Sequence, residues 1–288
     1  MKRVGCLFLP YFLASVTIKE NPRLYRQPVA VFREGKVIGI TREIEDHSLV
    51  GLPLNQARRH CPEAFFVEYD HSAHRAAQED CLQVLAGISP LIEPLDEQEC
   101  FLDLSGGRVS WEMEKLGQWF EAQGWGPVVI GIGANKFLAR LATRVPYGKN
   151  QAQVPGFCCR VVEPGGEKDF LARVPLVLDW LLPFRVVEKL GSLGFTRFGE
   201  LDSLSLQELL KILGPDGYTV YQHRRGRDST PLLGLYPPEK LSCHFSFDRG
   251  VYELGPLEKR LEEGARIIAS ALRERGMNCR QVALQAEL

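Results

Sequence analysis

The chain has 288 residues, of which 45% are hydrophobic and 25% are charged, and its formal net charge is −1. This length exceeds what one small core needs and predicts two or more domains. The near-neutral charge argues against a dedicated, uniformly basic DNA-coating protein, so any contact with nucleic acid must come from local patches. The eight cysteines form no CxxC pair, which predicts small buried side chains in a reducing compartment rather than zinc or disulfide sites.

Strand and helix patterns alternate from the N-terminus to about residue 165. An apolar run over residues 4–9 predicts a buried strand, and Pro10 ends it. No run is long enough to cross a membrane, so we expect a cytoplasmic protein. Further strands are predicted over residues 28–32, 37–41, 65–69, 91–95, 100–104, 128–132 and 157–162. Helices are predicted over residues 11–19, 53–60, 72–87 (with Ser72 as the N-cap) and 136–144, with one more around Trp111 and Trp119.

The pattern changes after a Pro-Gly-Gly break at residues 164–166. Residues 170–221 are predicted to be helical, with short breaks at Pro183, Gly191, Gly194 and Gly214. Residues 234–239 predict a linker. The tail is predicted to contain a strand over residues 241–247, an amphipathic helix ended by Gly276, and an alternating strand over residues 282–288. The whole therefore predicts an α/β (α+β) protein with a separate helical region.

Five segments, in order, resemble the Y-family of translesion DNA polymerases. They are YFLASVTIKENPRLYRQPVAV, GLPLNQARRHCPEAFFVEYD, SPLIEPLDEQECFLDLSG, GIGANKFLARLAT and GFTRFGELDSLSLQELLKILGPDG. The resemblance implies a right-hand architecture with a palm containing an antiparallel or mixed sheet. The palm would comprise residues 1–24 and 70–165, small fingers residues 25–69, a helical thumb with a degenerate helix-hairpin-helix residues 166–236, and a partial little finger residues 239–288.

The chemistry of such a palm is nucleotidyl transfer with two Mg²⁺ ions, which need several carboxylates as ligands. The family supplies one acid from the first strand and an Asp-Glu pair from the palm hairpin. In the first strand, the position of the metal-binding Asp falls on Phe8, within LFLPYF. Aligned on the hairpin motif, the sequence has Gln98 at the second Asp position and a vestigial Glu99 at the third. We therefore expect no metal ion or other cofactor. A shifted Mg²⁺ site that uses Glu99 with Asp96 or Glu97 is the alternative, and a solvated acidic turn is the simplest interpretation of these residues.

The resemblance also implies nucleotide-binding positions, and these are degenerate. The fingers residues that touch the triphosphate fall near Thr41 and Ile44, with Arg42 as a partial substitute. The phosphate-binding Lys of the palm falls on Tyr147, with Lys149 two residues later. The residue that selects deoxyribose falls on Leu13, next to Tyr11 and Phe12 in the same segment.

Several cations are candidates for DNA contact. Lys136, Arg140 and Arg144 are spaced by four residues and lie on one helix face, although a solvated face explains them equally well. The others are on the predicted thumb, where phosphate contacts would be strongly salt-dependent: Arg185, Lys189, Arg224, Arg225 and Arg227. A helix end favoured by its dipole is the alternative for the last three.

The combined losses are similar to those of the ImuB-like branch of the family. That resemblance implies a non-catalytic adaptor in DNA damage tolerance, which binds primer-template DNA weakly and has protein partners such as another polymerase and the sliding clamp. We therefore expect that the chain is not an enzyme. Two alternatives are an active error-prone DNA polymerase with an unorthodox metal site, and a nucleotide-binding regulator related to nucleotidyl cyclases.

Overall fold

The computed structural model describes residues 3–105, 109–145, 153–154, 157–236, 243–247, 254–274, 282 and 284. The chain divides into two compact units, Met1–Pro237 and Pro238–Leu288. The division lies near the predicted linker at residues 234–239. The boundaries between palm, fingers and thumb stay predictions.

Two sheets are formed by the described residues of the first unit. The larger has six strands in the order β5-β6-β1-β7-β9-β8, and the smaller has three in the order β3-β2-β4. The strands are β1 Val4–Phe8, β2 Val29–Arg33, β3 Lys36–Ile40, β4 Phe65–Glu68, β5 Ile92–Pro94, β6 Glu99–Asp103, β7 Val128–Gly133, β8 Gln153–Val154 and β9 Phe157–Val161. In the larger sheet β7 and β9 are parallel and the other pairs are antiparallel, so the sheet is mixed, as predicted.

The first strand is central because its residues are apolar on both faces. β1 pairs with β6 on one side and with β7 on the other, and Val4, Cys6 and Leu7 are buried. Pro10 follows, and helix α1 begins two residues later. This arrangement places the end of β1 at the same edge of the sheet as the start of β6.

The described α-helices of the first unit pack beside these sheets or form a helical region, and the last α-helix belongs to the second unit. The α-helices are α1 Phe12–Glu20, α2 Leu54–His60, α3 His71–Ala86, α4 Val109–Ala122, α5 Lys136–Arg144, α6 Glu167–Leu171, α7 Phe184–Ser192, α8 Leu206–Leu213, α9 Asp216–His223 and α10 Leu254–Glu274. Short 3₁₀ turns occupy Pro22–Leu24, His47–Leu49, Leu176–Leu178 and Phe198–Ser203. None of the described helices is both long and apolar enough to cross a membrane.

Helix α3 begins one residue earlier than predicted. The N-cap is Asp70 rather than Ser72, and its carboxylate accepts the backbone N–H groups of Ser72 and Ala73 at 2.8 and 3.1 Å. A carboxylate at this position satisfies free N–H groups and interacts favourably with the helix dipole. The same interaction lowers the pKa of Asp70 from its usual value.

Helix α5 packs closely on the larger sheet because two glycines of β7 have no side chain. A Cβ atom on Gly131 would lie 2.0 Å from the carbonyl oxygen of Ala139, and one on Gly133 would lie 2.7 Å from Cβ of Leu138. On another side of α5, Phe137 and Leu141 belong to the core of the helical region at residues 162–220. One short helix therefore contributes to two cores.

A buried polar pair joins α9 to the loop before α7. His223 Nδ1 lies 2.7 Å from an Asp179 carboxylate oxygen, and the imidazole stacks on Phe137 with ring centroids 4.5 Å apart. The contact ties α9 to α5, so the helical region is anchored to the helix that also packs on the sheet.

The second unit is described mainly by helix α10. Residues 243–247, where a strand was predicted, carry no strand in the structure. A strand requires a hydrogen-bonded neighbour, which an alternating pattern does not specify by itself. Most of the predicted partner at residues 282–288 lies outside the described residues. Gly276, the predicted cap of α10, also lies outside them.

Candidate functional site

The register of the larger sheet brings the predicted metal positions together. Phe8, the last residue of β1, pairs with Glu99, the first residue of β6. Beside them, the backbone N–H of Leu9 donates to the carbonyl of Gln98 at 2.9 Å. The three positions inferred from the motif therefore meet at one edge of the sheet. Their roles remain predictions.

Glu99 is fully buried, and two arginines of α5 bind its carboxylate. Arg140 Nε and Nη2 donate to the two oxygens at 3.0 and 2.8 Å, and Arg144 Nη2 donates at 3.0 Å. A buried carboxylate is tolerated only when it is paired in this way. The Cys6 thiol, 3.4 Å from Oε1, is also buried. Burial and the Glu99 charge hold the pKa of Cys6 well above its usual value.

The cations of α5 also lie against aromatic rings. The Arg144 guanidinium is 3.6 Å from the centroid of the Phe8 ring, and that of Arg140 is 4.7 Å from the Trp180 ring. Lys136 is nearly buried and lies 2.8 Å from a Glu93 carboxylate oxygen. The predicted basic face of α5 is thus not a freely solvated face, since each of the three cations is paired with an acid. The sequence spacing revealed the face, but the acids and rings opposite it come from distant strands.

The site does not fit a pair of Mg²⁺ ions. Both oxygens of Glu99 accept hydrogen bonds from arginine, and Phe8 offers an apolar ring instead of a carboxylate. The side-chain oxygen of Gln98 is buried and has no hydrogen-bond partner in this structure, but one neutral oxygen cannot balance two divalent ions. In the part of the chain that the structure describes, no group of three or more His, Cys, Asp or Glu side chains is placed to hold a metal ion.

The acidic turn beside Glu99 does not supply the missing ligands. Asp96 is exposed, and its carboxylate accepts the backbone N–H of Gln98 at 2.8 Å. Desolvation within the turn and the charges of Glu99 and Glu97 raise the pKa of Asp96. Glu97 binds Arg33 at 3.1 Å and the Tyr69 hydroxyl at 2.9 Å. Burial and this hydrogen bond raise the pKa of Tyr69 to about 12.

Most of the proposed nucleotide-binding positions are packed into cores. The buried ones are Phe12, Leu13, Thr41 and Ile44. The Thr41 hydroxyl accepts the backbone N–H of Val29 at 3.0 Å, so it has a structural partner. Tyr11 is partly exposed, and the Arg42 guanidinium lies 5.9 Å from its ring centroid. Tyr147 and Lys149 lie outside the described residues.

The cations of the helical region divide into exposed and buried groups. Arg225 and Arg227 are exposed. Arg185 is 77% exposed and pairs with Asp216 at 3.1 Å, while Lys189 donates to the carbonyl of Ile212.

Arg224 departs from the prediction of DNA contact. Its guanidinium is buried and donates to the backbone carbonyls of Leu201 and Leu204. Desolvation and the neighbouring Arg225 lower its pKa. These contacts use Arg224 to close the preceding 3₁₀ turn, and we leave it out of the DNA-contacting set.

The chain was compared with protein families, curated proteins and solved structures. The model of the impB/mucB/samB family matches residues 7–144, a range that contains Phe8, Glu99, Arg140 and Arg144. A DNA polymerase IV of Dehalococcoides mccartyi is 26% identical in an alignment of 295 positions, which spans 99% of this chain and 74% of that protein. A DNA polymerase IV of Streptococcus mutans is 22% identical, over 92% of this chain and 73% of that protein.

The solved structures that resemble the chain share its architecture. DinB from Sulfolobus solfataricus superposes with a TM-score of 0.65 at 22% identity, over 81% of this chain and 69% of that one. A Dbh ternary complex gives a TM-score of 0.65 at 21% identity with the same coverage. The fold is that of a Y-family DNA polymerase.

These relatives correct one sequence-based expectation. The prediction that the chain is not an enzyme is wrong, because relatives that align over nearly its whole length are named DNA polymerase IV. The prediction considered the lost metal ligands and the degenerate nucleotide-binding positions, whereas the similarity extends through the sheet, α5 and the helical region. The comparisons do not show that the chain belongs to the ImuB-like branch, so that placement stays a prediction.

Proposed function

We propose that this chain is a translesion DNA polymerase of DNA damage tolerance, which extends a primer on a damaged template. The observation that carries the proposal is the alignment of relatives named DNA polymerase IV over 99% of the chain. Since the described carboxylates do not fit two Mg²⁺ ions, the charge arrangement of its site must be unorthodox for the family.

The DNA-binding part of the proposal is supported by exposed cations. Arg185, Lys189, Arg225 and Arg227 lie on the helical region that corresponds to the predicted thumb. Cations on such a surface contact the phosphate backbone and position DNA without reading its sequence. The net charge of −1 makes these local contacts important for binding, since no global positive charge assists them.

The first experiment is primer extension by the purified full chain on intact and abasic templates, with Mg²⁺ or Mn²⁺. We expect extension by the wild type and by Arg173→Ala, which removes an exposed arginine away from the site. We expect weaker extension by Glu99→Gln, which keeps the side-chain size and an oxygen for Arg140 and Arg144 but changes the charge of the site. DNA binding without extension by the wild type would contradict the proposed activity.

A second role is favoured by one observation. Both carboxylate oxygens of Glu99 accept hydrogen bonds from Arg140 and Arg144, so the one acid left at the predicted metal positions is occupied. Loss of metal ligands is the property on which the resemblance to the ImuB-like branch rests. We propose that the chain also serves as an adaptor for another polymerase and the sliding clamp, a role that does not require loss of its own activity. Co-purification of tagged chain with a purified clamp, in the presence and absence of primer-template DNA, tests this role. Failure to retain the clamp in both conditions would exclude it.

A further inference from the structure

The palm edge, the end of the larger sheet where Phe8 pairs with Glu99, carries its positive charge on arginine side chains rather than on metal ions. Arg140 and Arg144 carry two positive charges against the single negative charge of Glu99. Lys136 and Arg33 are matched one to one by Glu93 and Glu97. The Arg140–Glu99–Arg144 cluster therefore has one positive charge in excess. Asp96, a further acid of this turn, is exposed and does not belong to the cluster; its carboxylate accepts the backbone N–H of Gln98.

The two arginines can be reached from solvent. Their side chains are 20% and 29% exposed, whereas that of Glu99 is 0% exposed. The contacts with Glu99 use Nε and Nη2 of Arg140 and only Nη2 of Arg144. Each guanidinium has more N–H donors than these contacts occupy, and it stays protonated at any physiological pH.

The contacts also fix the two arginines in place. Arg144 is held between Glu99 and the Phe8 ring, and Arg140 between Glu99 and the Trp180 ring. A guanidinium that is already oriented loses little conformational entropy when it binds an anion, which favours tight binding. Planar guanidinium groups are suited to phosphate oxygens because they donate two parallel hydrogen bonds.

We propose that the Arg140–Glu99–Arg144 cluster is a metal-independent binding site for the triphosphate group of a nucleotide. The choice of a nucleotide rests on the proposed function, and the choice of a polyanion rests on the excess charge and the preset guanidinium groups. Glu99 acts as a positioning residue that orders the two arginines, and it is not a metal ligand in this arrangement.

The experiment titrates the full chain with inorganic triphosphate and with a deoxynucleoside triphosphate in EDTA, followed by calorimetry. We expect saturable binding that weakens as KCl is raised, because the contacts are ionic. Arg144→Gln should weaken binding about tenfold, the factor that corresponds to one charge-assisted hydrogen bond. Arg173→Ala is the matched control and should bind as the wild type does.

The Glu99→Gln variant distinguishes a metal-independent triphosphate site from a metal site. It also tests the proposal if Arg144→Gln does not fold. The variant keeps an oxygen for the arginines but increases the net charge of the cluster by one. We expect triphosphate binding in EDTA at least as tight as that of the wild type, with melting temperature as the check on folding. Binding that appears only with Mg²⁺ and disappears in Glu99→Gln would overturn the proposal.

Three further outcomes assign a failure to the correct claim. Triphosphate binding in EDTA without primer extension would contradict the proposed polymerase activity and support the cluster. Extension together with Mg²⁺-dependent triphosphate binding would support the activity and overturn the cluster. Displacement of inorganic triphosphate by primer-template DNA alone would show that the cluster binds a backbone phosphate, which would also overturn the proposal.

Discussion

Phe8 has a definite partner at the place where the family has an acidic residue. Its ring faces the Arg144 guanidinium at 3.6 Å, a distance at which the negative face of the ring attracts a cation. A positive charge therefore lies against this end of β1, and it is carried by the Arg144 side chain instead of a metal ion. The substitution of Phe for Asp and the presence of Arg144 on α5 are physically consistent with each other.

A double-mutant cycle measures this contact. We expect Phe8→Leu, Arg144→Gln and the double variant to reveal a coupling energy of about 1 kcal/mol, the usual size of a partly exposed cation–π contact. Urea unfolding supplies the free energies. Phe65→Leu, at an exposed phenylalanine, serves as the control and should change stability by less than about 0.5 kcal/mol. Coupling indistinguishable from zero would show that Phe8 and Arg144 are only neighbours.

At the scale of residues, the sequence predicted positions better than partners. Alignment of the first strand and of the hairpin motif predicted Phe8, Gln98 and Glu99 at one site, and antiparallel pairing of β1 with β6 brings them together. The ion pairs of Glu99 were not predicted, because Arg140 and Arg144 are about forty positions away along the chain. Short-range patterns carry no information on contacts of that separation. An excess of cations on one face of an otherwise buried helix was the available signal.

At the scale of elements, the close packing of α5 restricts which residues strand β7 can carry on the face below the helix. Gly131 and Gly133 are two residues apart on β7, so they face the same side of the sheet, and α5 packs directly over them. Their lack of side chains sets the distance between helix and strand. The sequence contains these glycines in the segment GIGANK, but glycine in a strand also indicates bulges or bends, so the close approach could not be predicted from residue type.

Gly131→Ala tests the approach of α5. A new Cβ atom would lie 2.0 Å from the Ala139 carbonyl oxygen, a backbone atom that cannot move independently. We expect a loss of about 3 kcal/mol or more in the free energy of unfolding, at the upper end of overpacking effects.

The matched variant is Gly191→Ala in α7, where nothing lies within 4 Å of the added atom. It should be neutral or gain up to about 1 kcal/mol, since alanine is the better helix former. Chemical denaturation of both variants supplies the comparison. Similar stability of Gly131→Ala and wild type would mean that α5 packs less closely than described.

The elements that the sequence predicted best are those with a strong repeating pattern. Strand β1 is continuous and apolar, and α5 follows Asn135, whose side chain caps it. The strand predicted at residues 241–247 failed where residues 243–247 are described, because local alternation does not specify a pairing partner. Helix boundaries differed by a residue or two where two polar side chains competed as caps, as Asp70 and Ser72 did.

At the scale of the whole molecule, affinity for DNA must come from a few side chains. The formal net charge of −1 supplies no general attraction, so we expect the exposed cations Arg225 and Arg227 each to contribute a measurable part. Arg225 and Arg227 are exposed, whereas Arg224, their neighbour in sequence, is buried. Sequence alone grouped all three, because the cluster looks uniformly basic until the turn at residues 198–203 is seen to take up Arg224.

We expect alanine variants of Arg224, Arg225 and Arg227 to differ in DNA affinity and in its salt dependence, measured by titration at several salt concentrations. We expect Arg225→Ala and Arg227→Ala each to weaken binding and to reduce the slope of log K against log salt by about 1. Arg224→Ala should leave the slope unchanged but lower stability by about 2 kcal/mol, since it removes hydrogen bonds from buried carbonyls. A reduced slope for Arg224→Ala would mean that it reaches the phosphates.

The three sides of α5 have different freedom to change during evolution. One side is fixed by the glycines of β7 and another by the core of the helical region, so a substitution on either needs compensation elsewhere. Lys136, Arg140 and Arg144 occupy the third side, where their partners are acids and rings at the edge of the sheet. A few substitutions at the ends of β1 and β6 and on this side of α5 can therefore exchange carboxylates for guanidinium groups, or reverse the exchange, without a change in the packing of α5.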